Sequence, residues 1–167
     1  EVLSLNQTKS ILGFCAIGIV FHHLAQKTCA PWLNQEVIVH GLDFFLNLGH
    51  LFVALFFFYS GFGLFKSLKS KENYLKGFLG KHLTPIIILY LLINCEFYYV
   101  GKFFSPYTWY INAIVILYIL FYCSFRFVKN DVVSTCLVAL GILIYSFVCN
   151  WLVLGVWWYN TAFLFVV

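Results

Sequence analysis

From Gly49 to Phe65 the chain passes without a single Asp, Glu, Lys or Arg, is crowded with Phe and Leu, and ends abruptly at Lys66. Lys66, Lys69, Lys71, Lys76 and Lys81 follow against one acid, Glu72, and the next apolar run opens at Leu83. Hydrocarbon demands about 20 apolar residues per helix, and basic loops stay on the cytoplasmic side. The pattern therefore describes a helix leaving a bilayer, a loop on the positive side, and a helix returning.

Composition points the same way. The chain is 63% hydrophobic and only 10% charged, with a mean hydropathy of +0.93. Soluble domains carry about 25% charged residues, so this chain lacks the polar surface of a soluble globule. The expected fold is all-α: a polytopic transmembrane helical bundle in one domain, integral to a plasma or inner membrane, with the lipid bilayer as its first partner. The net charge of +4 is modest and sits in loops, which argues against nucleic acid as a partner.

Five complete spans and the start of a sixth are expected. The first is Ile11 to Ala25, short enough to need Lys9 and Lys27 snorkelling at its ends. Gln26 to His40 forms an exterior loop with Pro31, Trp32 and Glu36. Gly41 to Phe65 is the second span, Leu83 to Val100 the third, Trp109 to Phe125 the fourth and Val132 to Leu154 the fifth. Lys102 to Thr108 is a turn around Pro106. Trp157-Trp158-Tyr159 has the look of an interfacial aromatic belt opening a sixth span. With the N-terminus inside, Lys9, the loop lysines, Arg126 and Lys129 are cytoplasmic, and only Lys27 and Lys102 lie outside. That asymmetry orients the chain N-terminus in.

The six cysteines do not form a disulfide framework. Cys15, Cys95, Cys123, Cys136 and Cys149 fall in apolar runs, where thiols behave as small hydrophobes, and only Cys29 falls in a loop. No metal site is expected. Asn6-Gln7-Thr8 matches a glycosylation acceptor, but the orientation puts it on the cytoplasmic side. No cleavable signal pattern is present.

The histidines are the unusual feature. A titratable group inside a membrane span is expensive and marks function by default, although histidines near headgroups can simply line the interface. An imidazole is also suited to take a proton from a hydroxyl at neutral pH. His22 and His23 are adjacent, so their side chains point about 100° apart on a helix. His23 lies about four turns from Lys9, on the same face.

Phe56-Phe57-Phe58-Tyr59-Ser60-Gly61-Phe62, the lysine loop, and Phe78-Leu79-Gly80-Lys81-His82-Leu83-Thr84-Pro85 together resemble the signature of the acyltransferase-3 family of integral membrane O-acyltransferases. Gly13 to His23 and Trp109 to Phe121 resemble it as well. The resemblance implies transfer of an acyl group, acetyl first, from acyl-CoA to a hydroxyl of a cell-surface glycan, with no tightly bound cofactor. It also implies a longer protein, of which this chain is the N-terminal half. It selects His23 as catalytic, with His22 second. Where relatives have a basic residue before that histidine this chain has Leu12, and Lys9 stands one turn earlier. Relatives' acid before the paired phenylalanines is Ala54 here.

Lys9, Lys66, Lys69, Lys81 and His82 are the expected contacts to the acyl donor, the lysines as point charges for its phosphates. Without the resemblance, the lysine loop is simply a solvated basic flank. Ser60-Gly61-Phe62 carries a serine inside an apolar helix rather than at a strand-to-helix elbow, so close packing is its expected role. Asp43 and Glu96 could orient His23 or bind the acceptor, but both read equally as interfacial. Two other functions fit the same chain: a component of a transporter or channel, and an inactive remnant of the enzyme.

Overall fold

A computed structural model describes residues 4–29, 40–99 and 108–166; the side chains of Leu5, Ile93 and residues 96–99 are not included. The expected Pro31–Trp32–Glu36 loop, Lys102 and Pro106 lie outside the described residues, and so does the Glu96 side chain. The described residues form helices, turns and short connections, and no strand is found among them.

Five α-helices follow one another: α1 Leu5–Thr28, α2 Gly49–Ser70, α3 Phe78–Tyr99, α4 Trp109–Phe127 and α5 Asp131–Trp151. Four stretches, Asn6–Thr28, Gly49–Ser70, Trp109–Phe127 and Asp131–Trp151, are long and apolar enough to cross a membrane. The described apolar part of α3, Phe78–Leu92, is shorter. Large apolar side chains face outward along them, Leu140, Leu143, Ile144 and Phe147 on α5 among them. Exposed apolar faces this continuous suit hydrocarbon rather than water.

The helix ends differ from expectation for local reasons. Ser4 caps α1 through a reciprocal capping box with Gln7, which starts the helix two turns early and gives it 24 residues. Lys9 and Lys27 both lie within it, at either end of the apolar run. Cys29, expected in a loop, is the buried C-cap of this helix. The run from Gly41 does not enter a helix directly. Asp43–Asn47 forms a 3-10 turn and α2 begins at Gly49, then continues past Lys66 to Ser70 because lysine is a good helix former. Asn73 and Gly77 take positive φ (52° and 72°) in the reversal that follows. After α5 the expected sixth span does not begin as an α-helix. Val156–Trp158 and Ala162–Phe165 form two 3-10 turns. All six cysteines are free thiols.

The chain divides into two compact units, Glu1–Ser60 and Gly61–Val167, where the sequence reads as one domain. In the first, α1 meets the start of α2 at two glycines. A Cβ on Gly18 would lie 2.5 Å from the Phe52 ring, and Phe14 meets that ring edge-on with centroids 6.3 Å apart.

In the second unit α4 and α5 form a hairpin. Ala113, Ile114, Leu117, Phe121 and Ser124 are buried along α4, and Ser134, Val138, Ile142, Tyr145 and Cys149 along α5. Apart from the adjacent pair Ala113 and Ile114, both sets recur every three or four residues, the stripe one helix presents to another. Leu120 reaches into the gap at Gly141, where a Cβ would lie 2.7 Å from its Cδ2. At the turn, Ser134 Oγ donates to the carbonyls of Ser124 and Val128, each at 3.2 Å. At the far end Tyr145 donates to the Trp158 carbonyl at 2.8 Å, which ties the first 3-10 turn to α5.

A candidate histidine site on the first unit

His22 and His23 have different surroundings. His23 is exposed, and its Nδ1 lies 3.0 Å from Gln26 Oε1 on the same helix. His22 is half-buried and faces the next element. Its Nδ1 lies 2.8 Å from the Phe45 carbonyl in the 3-10 turn. A carbonyl only accepts, so Nδ1 carries the hydrogen and the neutral ring keeps its lone pair on Nε2.

Three features hold the ring there. Phe21, next in sequence, stacks on Phe45 at 5.1 Å and 26°. Gly49, the first residue of α2, leaves the space the imidazole occupies, since a Cβ would sit 2.5 Å from Nε2 and 2.6 Å from Cε1. The 3-10 turn places Phe45 and Gly49 one turn apart, so that they grip the ring between them. His23 and His50 are its electrostatic neighbours. Among the described residues, no group of His, Cys, Asp or Glu could hold a metal ion.

The sequence argument selects His23, while the structure seats the His22 ring against the next element and leaves His23 exposed. The difference follows from side-chain direction about the helix axis. Lys9 itself is exposed on α1. Asp43 accepts from the Gly41 backbone N–H at 3.2 Å and so serves its own turn.

The residues expected to meet an acyl donor belong to the second unit, Lys9 excepted. Lys69 forms an ion pair with Asp131, the first residue of α5, and lies over Phe65 at 5.4 Å. Lys66 lies over Phe62 at 5.9 Å. His82 is half-buried, its Nε2 is 3.1 Å from the Tyr74 hydroxyl, and its ring is 4.5 Å from Phe78. Burial first, and then the charges of Lys81 and Lys71, hold its pKa below the usual histidine value. Burial likewise raises the Tyr74 phenol. His82 is therefore part of a ring cluster at this end, and Lys81 remains exposed.

The Ser60-Gly61-Phe62 stretch lies within unbroken α-helix, which is no setting for a nucleophile elbow. Gly61 is in close contact, though with a turn and not with another helix: a Cβ there would overlap the Phe165 carbonyl. The signal for the Phe45 and Gly49 roles was absent from the sequence, because a backbone carbonyl and a missing Cβ leave no residue-type signature. No protein-family model matches the chain, and neither does any curated protein or solved structure at a significant level.

Proposed function

We propose that the chain belongs to a multi-pass membrane O-acyltransferase that moves an acyl group, acetyl first, from acyl-CoA to a hydroxyl of a cell-surface glycan. His22 is the general base, with His23 beside it. The observation that carries this reading is the Nδ1–H bond to Phe45. It fixes the tautomer and leaves the Nε2 lone pair as proton acceptor, the arrangement general-base catalysis requires. As the base takes the acceptor's proton, the oxygen attacks the thioester carbonyl; the C–S bond then breaks and the imidazolium returns that proton to the sulfur, so that CoA leaves as the thiol.

In this reading the membrane is a plasma or inner membrane, the N-terminus is cytoplasmic, and the basic loop faces the side from which acyl-CoA arrives. Lys66 and Lys81 are its contacts to the donor phosphates. Lys69 contributes less, because Asp131 already compensates its charge, and His82 serves structure. The experiment is transfer of labelled acetyl from acetyl-CoA to envelope glycan in membranes that contain the protein. Label that appears in an O-linked, alkali-labile form supports the reading. No transfer above membranes lacking the protein, with acetyl- or longer acyl-CoA, would overturn it.

A further inference from the structure

We propose that the basic end of the second unit is a docking surface for anionic lipid headgroups. The inference does not depend on acyl transfer. Four helix ends converge there. Phe65 near the end of α2 meets Phe125 near the end of α4 at 5.9 Å. Phe78 at the start of α3 stacks on Tyr122 of α4 at 5.8 Å and 16°. Lys69 at the end of α2 pairs with Asp131 at the start of α5.

These ends, with the connection between α2 and α3, carry five lysines from Lys66 to Lys81, together with Arg126 and Lys129, all of them exposed. The acids at the same end are Glu72 and Asp131, and Asp131 is already engaged by Lys69. The excess of positive charge is large, solvent-facing and spread over two separate stretches of the chain, residues 66–81 and 126–129. Such a layout complements a sheet of phosphates better than a single one.

The aromatic residues set the depth of this rim. Lys66 lies over Phe62 at 5.9 Å and Lys71 over Tyr74 at 6.0 Å. Both ammonium groups sit over ring faces, a pairing of basic and aromatic residues suited to the level where hydrocarbon gives way to headgroups. Polybasic segments next to membrane helices attract anionic lipid over roughly one screening length.

The test uses the full chain in nanodiscs of phosphatidylcholine with or without phosphatidylglycerol, and reads co-retained lipid by native mass spectrometry. The wild type should enrich phosphatidylglycerol on the order of tenfold over its share of the disc. K71Q/K76Q/R126Q/K129Q should lose most of that preference, and K71R/K76R/K129R should keep it. Equal retention of both lipids by the wild type overturns the proposal without recourse to any variant. So does unchanged enrichment in a glutamine quartet that keeps wild-type helicity. Millimolar inorganic pyrophosphate that abolishes the enrichment at constant ionic strength would assign the cations to a soluble phosphate instead.

Discussion

Each unit has its own kind of internal packing. In the first, two ring pairs, Phe14 on Phe52 and Phe21 on Phe45, accompany two missing Cβ atoms and one polar grip: Phe52 against Gly18, and His22 between Gly49 and the Phe45 carbonyl. In the second, rings pack on rings. Phe78 is almost fully buried and touches Tyr74, His82, Tyr118, Phe121 and Tyr122. Buried rings supply non-directional stabilisation in quantity, whereas a single hydrogen bond to an imidazole adds little net energy but sets where a lone pair points. The contacts of the first unit thus fix the direction of one imidazole, and those of the second bury a ring cluster.

Substitutions that remove each device should separate these roles. The largest stability effect is expected at Gly61. A leucine there cannot coexist with the Phe165 carbonyl, so Gly61→Leu should displace the second 3-10 turn and lower the thermal midpoint or yield more than any other single change here. Unchanged stability would mean that the turn does not pack on α2. Phe78→Ala should follow, at about 3–5 kcal/mol, the usual cost of emptying a buried aromatic site. Denaturant or thermal unfolding in detergent measures it, and a loss under about 1 kcal/mol would show that the ring cluster is not a core.

Gly49→Ala should cost less, about 1–3 kcal/mol for overpacking against the imidazole, and should also loosen the Nδ1–H bond. Nitrogen-15 spectra would then show His22 as a mixture of tautomers, where the parent shows one. Smallest of all is Lys69→Gln, at about 0–1 kcal/mol, because both partners of that ion pair are close to half exposed (47% and 46%). His82 offers a check by pH. Since its pKa lies below the ordinary 6.5, it should be neutral at pH 7 and titrate at a lower midpoint in proton-detected spectra. A midpoint above 6.5 would contradict the buried setting.

Much of the fold was legible in the sequence because uncharged runs and lysine clusters report directly on where a helix can meet hydrocarbon. The ends were less legible. The α1 start depends on a Ser4–Gln7 capping box, and the α2 start on a 3-10 turn across Asp43–Asn47, where the apolar pattern continues unbroken. The stretch after α5 reads as another span because Trp157, Trp158, Phe163 and Leu164 are apolar. Its 3-10 turns are held instead by carbonyl contacts at Tyr145 and Gly61, which composition does not encode. At the candidate site the sequence marked the histidine pair, since such groups are rare in apolar helices. It ranked His23 before His22 from spacing and resemblance alone, whereas the seating of His22 depends on the Phe45 carbonyl and on the gap at Gly49.

The most direct measurement compares His22→Ala with His23→Ala in the acyl-transfer assay, with protein level and helicity checked in both. His22→Ala should lose about 10²–10⁴-fold of the rate, the usual contribution of a general base, while His23→Ala keeps most of it. A His22→Ala protein that transfers acyl groups at the parent rate, beside an inactive His23→Ala, would contradict the account and return the catalytic role to the exposed histidine.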